Sequence, residues 1–164
     1  MRLVLLSLAC LLWAGAAQAT DLRFPETGNP AYVFQIPDDW VASTDTDDNM
    51  KIQQRINKVA LLLAIGPDGG ASLDDFAADM LKAAGADPAT RHEAAVLGGR
   101  TGTIYYSAMD NPSDPSGLRI AIRLTLVKPD ARSIASCALL INASANDADI
   151  AASEAVEKGM AFVP

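Results

Sequence analysis

Histidine occurs once in this 164-residue sequence, at His92, and cysteine twice, at Cys10 and Cys137. These scarcities exclude much chemistry. A Ser-His-Asp or Cys-His device has to recruit His92, yet there is no Gly-x-Ser-x-Gly elbow, and Cys137 falls in a different expected strand. An ordinary zinc site needs more His and Cys than the chain offers. Gly66-Pro67-Asp68-Gly69-Gly70 lacks the Gly-Lys-Ser/Thr ending of a phosphate loop, and Gly98-Gly99 is explained by a hairpin turn rather than a dinucleotide fingerprint. The sequence therefore reads as non-enzymatic and without a cofactor. The remotest alternative is a hydrolase with His92 as its base, set against a plain surface position for that residue.

Positive charge is also short, with 13 Lys and Arg against 20 Asp and Glu and a net charge of −7. Such a chain is repelled by nucleic acid and by anionic lipid, so neither is an expected partner. Its N-terminus carries one basic residue, Arg2, then an apolar run from Leu3 to Gly15 and the small-x-small pattern Ala17-Gln18-Ala19. The run is too short for a stable membrane span and matches a secretory leader, with cleavage expected after Ala19. The expected product is one domain over residues 20–164, with a net charge of −8 once Arg2 leaves, in the periplasm or secreted and not inserted in a membrane. Cys10 departs with the leader. Cys137 then has no disulfide partner and lies among apolar neighbours, as an inert buried thiol would.

Along the expected domain, residues 20–30 read as an irregular opening with Pro25, Gly28 and Pro30, and Tyr32 to Ile36 as a strand turned by Pro37-Asp38-Asp39-Trp40. Lys51 to Ile65 gives two strands around Asn57-Lys58; the second, from Val59, is apolar on both faces. Ser72 and Asp75 open a helix whose apolar residues run from Leu73 to Ala84 before Gly85 stops it. Arg91 to Leu97 and Thr101 to Met109 form a hairpin. Leu118, Ile120, Ile122, Leu124 and Leu126 alternate with polar or small residues, as in a half-buried strand. Arg132 to Ala143 is the last strand, and Asn146 caps a helix over Asp147 to Met160. The order β-β-β-α-β-β-β-β-α implies an α+β fold, a mainly antiparallel sheet packed by helices.

Tyr32-Val33-Phe34-Gln35-Ile36-Pro37-Asp38-Asp39-Trp40, the helix start Leu73-Asp74-Asp75-Phe76-Ala77, Leu97-Gly98-Gly99-Arg100 and the short terminal helix together resemble the PsbP/DcrB-like superfamily. The resemblance implies an α/β/α sandwich and a protein-binding scaffold, and it transfers no functional residue.

Two sets of residues merit suspicion as binding groups. Arg119 and Arg123 share one strand face roughly 13 Å apart, placed to meet an acidic partner or ordinary cross-strand carboxylates. Asp45, Asp47 and Asn49 offer oxygens at alternating positions like the first half of a calcium loop, although Met50 replaces the turn glycine and Ile56 the closing acid. The sequence thus suggests an exported envelope module that binds another protein, with an inhibitor or immunity factor as one form, and a small-molecule or metal binder as the alternative.

Overall fold

A computed structural model describes residues 19–45, 49–56, 58–111, 113 and 117–163. The expected leader, Ala19 apart, lies outside the described residues, as do Asp47 and Asn57. The seven strands and two helices expected from the sequence occur in the expected order: β2 (Ala31–Ile36), β4 (Met50–Gln54), β5 (Val59–Pro67), α1 (Leu73–Ala83), β6 (Arg91–Leu97), β7 (Arg100–Asp110), β8 (Arg119–Val127), β9 (Ser133–Ile141) and α2 (Asp147–Gly159). Three further strands join them: β1 (Thr20–Phe24), β3 (Trp40–Thr44) and β10 (Ala161–Val163).

The segment read as irregular from residue 20 is ordered over β1 because it finds β2 as a partner, with Thr20 opposite Ile36 and Phe24 opposite Tyr32. Likewise β10 pairs with the other edge of β2, and β3 with β4. All three are short strands whose order is supplied by the neighbour rather than by their own pattern. The result is a three-stranded sheet, β1-β2-β10, and a seven-stranded sheet, β3-β4-β5-β9-β8-β7-β6, with every pair antiparallel.

Alternation along the central strands assigns each residue to one of two cores. Val59, Leu61 and Leu63 of β5 and Ala135, Cys137 and Leu139 of β9 face α2 and the small sheet, where Tyr32, Phe34, Trp40, Val156 and Met160 complete a buried cluster. Tyr32 stacks near Phe162, and its hydroxyl donates to the Ser136 carbonyl at 2.9 Å. On the opposite face Ile122, Leu124 and Leu126 of β8, Tyr105 of β7 and Ile134 of β9 pack against Ala77 and Leu81 of α1. The sheet is therefore sandwiched, with one helix on each side.

Local chemistry fixes both helices. The Ser72 hydroxyl accepts from the Asp75 backbone N–H at 3.1 Å, and Gly85 takes a φ of +70° after the last turn of α1. In α2, Asn146 and Asp149 form a reciprocal capping box, with both bonds at 3.0 Å. Gly98 and Gly99, both at positive φ, make the two-residue turn between β6 and β7.

Leu61 is fully buried between the sheet and α2. Leu61→Ala is expected to lower the free energy of unfolding by about 2–5 kcal/mol, whereas Val96→Ala, at a residue 70% exposed on β6, should stay within about 0.5 kcal/mol. Urea titration of the two variants checks the pair.

Candidate functional site: an open apolar trough beside the first helix

The two faces of the large sheet are not covered equally. α2 packs mainly on β2, β5 and β9, with the small sheet extending the cover; α1 packs mainly on β7 and β8 and reaches β9 at Ile134. Beside α1, the sheet face formed by β5, β9 and β8 is left as an apolar trough of about 350 Å³. Its floor follows from the register. Lys51 of β4 stands opposite Leu62 of β5, Leu62 opposite Ala138 of β9, and Ala138 opposite Leu124 of β8, so these four form one row across the sheet. Ala64 and Ser136 form the adjoining row on one side, and Leu140 and Ile122 that on the other. Met80 and Leu81 of α1 and Ala84 at its C-terminal cap, with Met109 of β7, make the wall.

The depth of this trough is set by side-chain size. Ala64, Ala138 and Ser136 place small groups where a Leu or Ile would fill the space, and Leu62, Met80, Met109 and Leu140 remain only half-buried around them. At the mouth sit Asp45, Asn49 and Lys51 from the β3–β4 hairpin. Asp45 accepts from the Asn49 backbone N–H at 2.9 Å and from its side-chain amide at 3.2 and 3.3 Å, which closes the hairpin loop. Two of the three oxygen-bearing candidates thus meet at the trough mouth, and the third, Asp47, lies outside the described residues. Among the described residues no group of three or more His, Cys, Asp or Glu side chains is arranged to hold a metal ion.

Arg119 and Arg123 are both engaged by carboxylates, and Arg123 meets those of α2. Arg119 pairs with Asp87 at 2.7 Å and with Asp110, its cross-strand neighbour, at 3.2 Å. Arg123 bonds Glu154 closely and Glu157 at 3.2 Å, and Glu157 also accepts from the Thr125 hydroxyl at 2.9 Å. This cluster clamps α2 to β8. His92 lies on the edge strand β6 with its ring 5.9 Å from that of Tyr105. Burial, reinforced by the hydrogen bond to Asp74, pushes the Tyr105 hydroxyl up to about 12, so it stays protonated at neutral pH. Cys137 is wholly buried, and burial followed by the Glu157 charge raises its thiol far above the usual value; it is a core residue.

Sequence reading named Asp45 and Asn49 but missed the trough they border, and it missed Lys51 as well. The available signal was the second apolar face of β5 and β9, carried by Ala60, Leu62, Ala64, Ala138 and Leu140, set against a single short helix to cover it.

Two outcomes test the clamp. Glu157→Ala leaves Arg123 beneath α2 with one partner fewer and should destabilise the fold by about 2 kcal/mol, less than a fully buried pair because Glu154 remains; Arg123→Met with Glu157→Leu should recover most of that loss in chemical denaturation. Acid should also weaken α2. The Arg123 hydrogen bond holds the Glu154 carboxyl below its usual range, and the Asn146 backbone N–H, aided by Lys58, does so for Asp149. A depressed folded-state value stabilises above the unfolded pKa of about 4 and is lost as pH falls through the folded value. The melting temperature should therefore drop in that window, and Glu154→Gln with Asp149→Asn should shrink the drop.

No family model matches the sequence, and no curated protein matches it significantly. Among solved structures the chain is similar to LpqN, described as involved in cell envelope biogenesis of Mycobacterium tuberculosis, with a TM-score of 0.60 and 15% identity over 90% of this chain and 91% of that one. It is also similar to a protein of Bacteroides thetaiotaomicron, with a TM-score of 0.55 and 10% identity over 81% of this chain, which spans 45% of the other. These likenesses establish a shared fold.

Proposed function

We propose that this chain is an exported, non-enzymatic accessory protein of the cell envelope that works by binding, and that the trough beside α1 receives an apolar group of another envelope molecule. The observation that carries this reading is the trough itself. Half-buried Leu62, Met80, Met109 and Leu140 surround a volume of about 350 Å³ that the protein's own side chains leave empty. Water against such a surface is unfavourable by about 25 cal/mol per Å², so an apolar occupant is favoured. The leader-like N-terminus supports export, the PsbP/DcrB-like pattern of the strand Tyr32 to Ile36 and its turn Pro37-Asp38-Asp39-Trp40 supports a binding scaffold, and the envelope role described for LpqN supports the location. No helix among the described residues is long and apolar enough to cross a membrane.

A partner protein would lay large apolar side chains in the trough, with its basic residues facing the acidic exterior; an inhibitor or immunity factor is one case. A small-molecule occupant is favoured by one particular observation, that the volume falls within the range of roughly 300–1,000 Å³ typical of ligand pockets.

Photo-crosslinking from Met80 in the exported protein tests the reading. A discrete adduct is expected from Met80 and not from Val41, which is exposed on β3, and Leu62→Arg should abolish it. Equal labelling from both positions, or none from Met80, would contradict the proposal.

A further inference from the structure

Lys51 changes what the trough accepts. Its backbone is fixed in β4 opposite Leu62, so the side chain rises at the end of the row Leu62, Ala138 and Leu124, and it is the only Lys or Arg among the described residues lining the trough. Lys58, Lys128 and Lys158 each pair with a carboxylate. Lys51 is half-buried, yet among the described residues its ammonium has neither an ion pair nor a hydrogen bond. Asp45, the acid at the same mouth, is held by the Asn49 backbone and amide instead. An unpaired cation at one end of an apolar slot matches a molecule with an anion at one end of an apolar chain.

From this juxtaposition we infer that the trough binds a fatty carboxylate, the alkyl chain lying over Leu62, Ala138 and Leu124 against Met80 and Met109, and the carboxylate accepting from Lys51 at the mouth. A single negative charge suits the site better than a doubly charged phosphate, because one ammonium balances one charge and Asp45 repels the excess. A cationic amphiphile would place like charge on Lys51. The inference rests on the binding role proposed for the trough and names the class of its ligand.

The test is isothermal titration of the purified protein with three amphiphiles of equal chain length: dodecanoate, dodecyl glucoside and dodecyltrimethylammonium, each below its micellar concentration. Dodecanoate should bind one per chain and more tightly than the other two. Lys51→Ala should weaken it about tenfold, the value of one charge-assisted hydrogen bond at a half-buried site, and Lys51→Arg should retain most of the affinity. Ala64→Phe, which fills the slot, should abolish binding; if that variant misfolds by circular dichroism, the Lys51 pair on the half-buried hairpin strand carries the test alone. Equal affinity for the three amphiphiles, or no effect of Lys51→Ala, overturns the inference. If dodecanoate fails while a specific Met80 crosslink persists, the ligand class falls and the binding role stands; if both fail, both fall.

Discussion

The seven-stranded sheet is apolar on both faces where β5 and β9 run through its middle, so each face has to be kept from water, and the chain supplies unequal means of doing so. Seven strands at about 4.8 Å spacing span roughly 29 Å. An eleven-residue helix such as α1 is about 16 Å long and 10 Å wide, enough for two or three strands. On the other face α2 is joined by the three-stranded sheet, and together they cover what one helix does not. The shortfall on the α1 side is what leaves the trough open, and the functional reading follows from that geometry.

A trough persists only if its floor does not collapse into it. Here the floor strands are held from behind: Leu61, Leu63, Cys137 and Leu139 are locked into the opposite core, and the Arg123, Thr125, Glu154 and Glu157 contacts fasten α2 over it. Ala64, Ala138 and Ser136 can therefore stay small without the sheet bending to close the gap. The same strands serve two purposes, cohesion on one face and reception on the other. The charged groups follow this division, since Arg123 is engaged by Glu154 and Glu157 on the α2 side while Lys51, among the described residues, has no ion pair at the trough mouth.

Much of the fold was legible because its signals are local. Ser72 and Gly85 bracket α1, Asn146 caps α2, Gly98-Gly99 makes the hairpin turn, and the alternation of Ile120, Ile122, Leu124 and Leu126 marks β8. What escaped depends on distant partners. β1 and β10 owe their order to β2, and Thr20 to Phe24 carries no pattern that announces it. Arg119 and Arg123 could be placed on one face of β8, but their carboxylates come from Asp87, Asp110, Glu154 and Glu157, which no spacing rule links to them. The site was the least legible part. In sequence, Ala64 and Ala138 are ordinary strand residues and Lys51 an ordinary solvated one; their meaning appears only once α1 is seen to settle over β7 and β8.

The most direct measurement of the open face is methyl NMR with a neutral apolar probe such as 1-aminonaphthalene titrated into the protein. The account predicts that the methyl signals of Leu62, Met80, Met109 and Leu140 shift together and saturably while those of Leu61, Leu63 and Leu139 on the opposite face stay still. Shifts spread evenly over both faces, or confined to the α2 side, would contradict it.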